Sequence, residues 1–262
     1  MGLGWFGAPE HTRWLAAETH ALLAYARAAR VPSGFGWIGQ DGVVDRDHPV
    51  ELWITGRMTF AFSLGALLGI PGCRRYADHG VRALRMAMRD TENGGWYSAV
   101  GHQVDASGRA TPVDPLARKE CYQHAFVMLA AATAAAADRP GATELLGDVI
   151  EVVNRYWWDE AHGMPVESYA ADFTDPEDYR GINAAMHTVE AYLAVADVTG
   201  DTLWLRRALR MVDFAVNRQA RAHDWRLPEH YTPAWRPRLD YNEDAPAHPF
   251  RPYGATPGHG LE

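Results

Sequence analysis

Residues 115–137 read PLARKECYQHAFVMLAAATAAAA, a run dominated by Ala with Leu, Met and Lys. These are strong helix formers, and they predict a helix from Pro115 to Ala137. Arg139-Pro140-Gly141 breaks it, and a second helix is predicted from Thr143 to Trp157. The same pattern of helix, Gly-containing break and helix lies on either side. Upstream, helices are predicted from Val50 to Leu68 and from Arg74 to Arg89, around Gly69-Ile70-Pro71-Gly72. Downstream, they are predicted from Gly181 to Val198 and from Thr202 to Ala220, around Thr199-Gly200. One further helix, His11 to Ala29, precedes the series, with Trp14, Leu15, Thr19, Leu22, Leu23 and Ala26 at helical spacing. A short strand is expected at Trp96–Val100, and irregular chain over Asp159–Tyr179 and Arg221–Pro257.

Each pair of helices is followed by a polar-aromatic loop: GGWYSAV at Gly94, HGMPVESY at His162 and HDWRLPEHY at His223. Leu84-Arg85-Met86 and Leu209-Arg210-Met211 also hold matching places. The units recur roughly every 60 to 70 residues, a longer period than the common short solenoid repeats. Stacked helical hairpins of this kind bury a continuous core between neighbours. The expected class is all-α: a curved array, or part of a closed toroid, of about seven helices plus the start of an eighth. No linker-like composition separates the units, so residues 1–262 are read as a single domain.

The 262 residues are 47% hydrophobic and carry a net charge of −8 with no basic block, which argues against a nucleic-acid or anionic-membrane partner. Cys73 and Cys121 are the only cysteines; they form no CxxC pair or disulfide framework, and a reducing cytoplasm fits them. The amino-terminal MGLGWFGAPEHTRW lacks the basic and apolar regions of a signal peptide, and the longest apolar run, Ala130–Ala137, is too short to span a bilayer. Ten Trp and eleven Tyr suit either a core or a sugar-lined cleft. There is no HExxH, GxGxxG or P-loop pattern, so no metal or cofactor is expected.

Polar residues interrupt the faces of alternate helices. Trp53 and Arg57 lie one turn apart, with Phe60 and Leu64 continuing that face; such an Arg either ion-pairs or binds a ligand. Lys119, Tyr122, Phe126 and Leu129 line up in the next helix of the series, and Asn183, His187 and Glu190 in the third. A Tyr or His so placed is often a satisfied core group. The helices between them read as ordinary amphipathic packing helices, with Arg82, Arg85, Arg89, Arg206, Arg207 and Arg210 outside. An inner ring of the first kind would bring Arg57, Tyr122, Asn183 and His187 to one cavity. The closing hexapeptide Pro257-Gly258-His259-Gly260-Leu261-Glu262 opens an eighth helix. There Glu262, three residues after His259, shares its face and is expected to fix the imidazole tautomer for general-base work.

LWITGRMTFAFSLG at Leu52, NGGWYSAV at Asn93, KECYQHAFVMLA at Lys119, RGINAAMHTVEAYL at Arg180 and HPFRPYGATPGHGLE at His248 together span most of the chain. As a set they resemble the N-acylglucosamine 2-epimerase superfamily, and within it the mannose isomerase and sulfoquinovose isomerase branch. The resemblance implies an (α/α)6 toroid of alternating inner and outer helices, here C-terminally truncated. It implies a metal-independent aldose–ketose isomerase acting on a free monosaccharide, with D-mannose to D-fructose favoured. His259 would be one acid/base histidine, and the second is expected beyond residue 262. His187 would assist ring opening or hold the sugar. Arg57, Asn183 and Tyr122 would bind hydroxyls, Trp53 and Phe250 would shape the pocket, and Glu262 would hold His259 or touch substrate. The truncated chain is expected to be weakly active or inactive.

Three other readings stand beside this one. A sugar 2-epimerase of the N-acetylglucosamine or cellobiose type would return the proton to C2 rather than C1. A glycoside hydrolase or lyase on the same toroid would need paired carboxylates, for which Asp114, Glu120, Glu167 and Glu229 are candidates. A catalytically silent helical-repeat fragment would bind sugar or peptide without turnover. Oligomeric state is not legible in the sequence.

Overall fold

The computed structural model describes residues 7–262. The first six residues, on which the signal-peptide reading partly rests, lie outside them. Eight α-helices occur among the described residues: α1 (Pro9–Ala26), α2 (Leu52–Leu67), α3 (Cys73–Arg82), α4 (Cys121–Ala136), α5 (Ala142–Val152), α6 (Ile182–Thr199), α7 (Thr202–Val212) and α8 (Pro257–Leu261). Helices α2, α4 and α6 pack side by side as an inner row, and α3, α5 and α7 each pack behind their own partner. That is the alternation expected from the repeat.

The inner row shows why the Ala-rich run matters. In α4 nearly every residue from His124 to Ala134 is buried, because its small side chains let α2 and α6 close in on both sides. The close approach of α2 and α4 is seen at Gly56 of α2, where an added Cβ would sit 2.8 Å from Phe126 Cβ and 3.0 Å from the Phe126 carbonyl oxygen. Backbone cannot yield as a flexible side chain can. Gly56→Ala is therefore expected to cost about 1–3 kcal/mol through overpacking. Gly147, on the exposed face of α5, has nothing within 4 Å of an added Cβ. Gly147→Ala is expected to stabilise by about 0.5–1 kcal/mol. Urea unfolding of both variants checks the opposed signs.

The hairpin turns follow local chemistry. Gly200 closes α6 in the left-handed region at φ 70°, which spares a side chain the clash. The Asp201 carboxylate then accepts the Leu203 N–H to cap α7. Each outer helix widens at its end into π-type turns: Ala83–Ala87, Val153–Trp157 and Asp213–Ala220.

Each inner helix is entered through a two-residue strand that pairs antiparallel with the loop of the following unit. Val50–Glu51 pairs with Ala99–Val100, Lys119–Glu120 with Ser168–Tyr169, and Arg180–Gly181 with His230–Tyr231. The residue before each loop strand gives its carbonyl to the first N–H of the helix: Ser98 to Leu52, Glu167 to Cys121, and Glu229 to Ile182. The three loops recognised as equivalent in the sequence therefore do one mechanical job.

Several expectations change. Helix α4 begins at Cys121 rather than Pro115, because Lys119–Glu120 are taken up by strand pairing. The strand near Trp96 runs over Ala99–Val104, and the stretch 159–179 contains short paired strands, including Met164–Pro165 and Ser168–Tyr169. Arg89 is not outside: it lies half-buried with its guanidinium 4.4 Å from the Trp96 ring centre. Of the apolar face read in α1, only Leu23 is buried, while Trp14, Leu15 and Leu22 are exposed. Helix α1 lies at one edge of the array, where its main α-helical contact is with α2. At the far edge Leu205, Leu209 and Val212 of α7 are likewise exposed. No described helix is long and apolar enough to cross a membrane.

Candidate active site

The entry ends of α2, α4 and α6 surround a cavity of about 440 Å³. Trp53, Tyr122 and Asn183 line it from the first turns of the inner helices, and Phe250 lines it from the long loop before α8. These four predicted residues are thus brought together. The sheet-like clamp at each helix entry holds their backbones, and aromatic contacts hold the rings: Trp53 and Tyr122 lie 6.4 Å apart between centres.

Arg57 and His187, expected in the same cavity, do not line it: they lie one turn further along α2 and α6, with the His187 ring 5.4 Å from that of Tyr122. The Arg57 guanidinium lies 4.3 Å from the Phe126 ring centre and 5.7 Å from that of Trp53. Its Nη2 donates to His187 Nε2 at 3.3 Å. His187 is buried, with Nδ1 3.2 Å from Glu190 Oε2. Since arginine only donates, Nε2 is the acceptor and Nδ1–H the donor toward Glu190. The imidazole is locked as a neutral tautomer with its lone pair directed at Arg57. Neither ring nitrogen is left for proton abstraction, and the donors of the pair that remain for a sugar oxygen belong to the Arg57 guanidinium.

His259 stands apart. Its Nδ1 donates to Glu229 Oε1 at 2.9 Å, not to Glu262. Helix α8 is a single turn, and Glu262 at its C-cap is exposed, so the expected pairing three residues apart does not form. His259 and Glu262 border a second cleft of about 190 Å³, walled by α6 and α7 through Ile182, Met186 and Val212. The link to the first cavity runs through Glu229, which is 2% exposed and also accepts the Asn183 N–H at 3.2 Å.

The isomerase reading of the sequence gives no role to three charged groups of the first cavity, Glu120, Glu167 and Arg251, of which the two acids enter only as candidate glycosidase carboxylates. Burial pushes the Glu167 carboxyl up to about 8, with Glu177 and Glu120 adding to the rise and Arg251 opposing it. Burial also raises Glu120, whose Oε2 accepts from Gln123 Nε2. Arg251 is committed to Glu177 through two hydrogen bonds of 2.7 and 3.1 Å. The shift favours the neutral acid form of Glu167 over its carboxylate. The carboxylate pair of a glycosidase would need one member ionised beside an acid, and Glu229 is already engaged with His259. Burial holds His124 down at about 3, and its ring serves Glu120 O and the Trp96 N–H, so it is a structural histidine.

A family model described as N-acylglucosamine 2-epimerase (GlcNAc 2-epimerase) matches residues 34–262. The chain belongs to the N-acylglucosamine 2-epimerase family. It is 48% identical over 259 residues to a D-mannose isomerase of Thermobifida fusca, covering 98% of this chain and 62% of that protein. It is 42% identical over 258 residues to a D-mannose isomerase of Pseudomonas cannabina pv. alisalensis, covering 98% and 60%. A crystal structure of D-mannose isomerase superposes with a TM-score of 0.83 at 26% identity, covering 98% of this chain and 64% of that one. The chain thus spans about three fifths of the length of the curated relatives it matches. The hairpin array described above is the part of the N-acylglucosamine 2-epimerase family's (α/α)6 toroid that these residues build.

Proposed function

We propose that this chain carries the sugar-binding half of a cytoplasmic, metal-independent aldose–ketose isomerase that converts D-mannose to D-fructose. The observation that carries the reading is the Arg57–His187 pair beside a cavity lined by Trp53, Tyr122, Asn183 and Phe250, in a chain 48% identical to a D-mannose isomerase. Residues 1–262 act as one partial barrel domain on an uncharged monosaccharide, without nucleic acid or membrane.

The reaction needs an open-chain sugar, loss of the C2 proton, and return of a proton to C1 as the O2 hydroxyl becomes the carbonyl. In this reading His259 is an acid/base group for those transfers. Arg57, with His187 behind it, steadies the negative charge that develops on O1 and O2 of the enediolate. Asn183 and Tyr122 hold hydroxyls, Trp53 and Phe250 pack the ring faces, and Glu262 contacts the sugar as α8 is completed. The second acid/base group is assigned to a segment equivalent to the remaining two fifths of the relatives.

The test uses the chain alone and the chain extended by the corresponding remainder of the Thermobifida fusca relative. The chain alone is expected to turn over D-mannose weakly or not at all. The extended protein is expected to form fructose in the presence of EDTA. In deuterated water the label should enter C1 of fructose; a label at C2 of an epimeric aldose would replace the isomerase reading with a 2-epimerase. No product from the extended protein would sink both.

A further inference from the structure

We propose that Glu229 is the positioning residue for His259: its buried carboxylate holds the imidazole in the Nδ1–H tautomer and so reserves Nε2 for proton transfer. The proposal deepens the acid/base reading of His259 given above and rests on it for its catalytic meaning, though not for its geometry.

The repeat explains why a carboxylate stands there. Ser98, Glu167 and Glu229 hold the same place in the three loops, each lending its backbone carbonyl to the first N–H of an inner helix. Their side chains all reach forward to the entry of the next inner helix. Ser98 Oγ donates to the Arg118 carbonyl at 3.0 Å, just before α4. Glu167 Oε2 accepts the Gly181 N–H at 2.9 Å, just before α6. Glu229 Oε1 accepts Nδ1–H of His259 at 2.9 Å, inside α8. The first two side chains grasp backbone groups. Only the third takes hold of an ionisable side chain.

The surroundings make this grip specific. The Asn183 N–H, in the first turn of α6, donates to the same Oε1 atom at 3.2 Å. That second donor pins the oxygen, so the direction of the imidazole is set by the helix that also carries His187. The carboxylate is 2% exposed, so water does not compete for it, while the His259 side chain keeps 20% exposure. Among the described residues Nε2 of His259 takes no hydrogen bond. A free histidine favours the proton on Nε2, and a carboxylate at Nδ1 reverses that choice and leaves the Nε2 lone pair available as a base.

The experiment is long-range ¹H–¹⁵N correlation of the imidazoles in the 262-residue chain, with the His259 signals assigned by their loss in His259→Asn. The expected result is the Nδ1–H tautomer with a downfield, slowly exchanging Nδ1 proton. Glu229→Ala should abolish that proton signal and move the ring toward Nε2–H. Glu229→Gln should keep Nδ1–H, because the Asn183 N–H still demands an oxygen at that spot. If Glu229→Ala does not fold, wild type and Glu229→Gln decide the matter. An Nε2–H tautomer in the wild type, or an unchanged tautomer in folded Glu229→Ala, would overturn the proposal. In the extended enzyme Glu229→Ala should lower kcat on the order of 100-fold with KM changed less than about twofold, a split that a general loosening of the fold would not produce. Tautomer and fructose assay fail separately: correct tautomers with no turnover in the extended wild type would sink the isomerase reading alone.

Discussion

His259→Ala in the extended enzyme is expected to reduce kcat for mannose-to-fructose conversion by about 10²–10⁴, the range a general acid/base group supplies. The size of the effect follows from the asymmetry between the two histidines of the site. His187 has both ring nitrogens committed, one to Arg57 and one to Glu190. His259 has only Nδ1 committed. His187→Ala should accordingly act mainly on sugar binding, raising KM, because it frees Arg57 from its partner without removing a base. Steady-state kinetics of both variants, beside wild type and in EDTA, decide the point. A His259→Ala enzyme within about fivefold of wild-type kcat would end the assignment of His259 as an acid/base group.

Asp90→Ala is expected to cost about 3–5 kcal/mol, the largest single stability loss we foresee, because it strands a buried charge. Lys119 Nζ lies 2.6 Å from Asp90 Oδ2, with the two side chains 2% and 0% exposed. Asp90 also accepts from the Glu92 and Asn93 N–H groups and from the Tyr97 hydroxyl, so one carboxylate ties the loop after α3 to the entry of α4. Burial alone would raise the Asp90 carboxyl. Hydrogen bonds from Asn93 and Lys119, together with the Lys119 charge, outweigh it and hold the group below the usual range. A carboxylate lowered in the folded state contributes fully above its unfolded value and loses that contribution as pH falls through the lowered one. The stability gap between wild type and Asp90→Ala should therefore be flat near neutrality and shrink below about pH 4. Urea titrations of the 262-residue chain across that window measure it. A loss under about 1 kcal/mol at pH 7 would mean the pair is solvated and of surface strength.

The second expectation bears on how Tyr122 and Glu120 reach the cavity. Lys119 precedes them in the strand that enters α4, and its ammonium is clamped between Asp90 and the Ala171 carbonyl. In the sequence Lys119 looked like a member of the polar stripe leading to Tyr122. It proves to be a fully buried anchor, and the stripe begins at Tyr122.

The sequence by itself determined the alternation of inner and outer helices, because that alternation is written in local quantities: Ala-rich composition, Gly-Pro breaks and the three matching loops. It also put Trp53, Tyr122 and Asn183 at one end of the array, where they line one cavity, since residues in the first turns of neighbouring inner helices share that end. The partner of His259 was decided only by the tertiary structure. Sequence spacing favoured Glu262, three residues away, but a one-turn helix leaves that carboxylate in water. Glu229 lies thirty positions upstream, and the strand pairing of the third loop with the entry of α6 carries it to the imidazole. The ExY pattern shared by Glu167-Ser168-Tyr169 and Glu229-His230-Tyr231 marked the position. What each carboxylate would grasp depended on which backbone arrived beside it, and strand pairing across units, being non-local, is invisible to residue spacing.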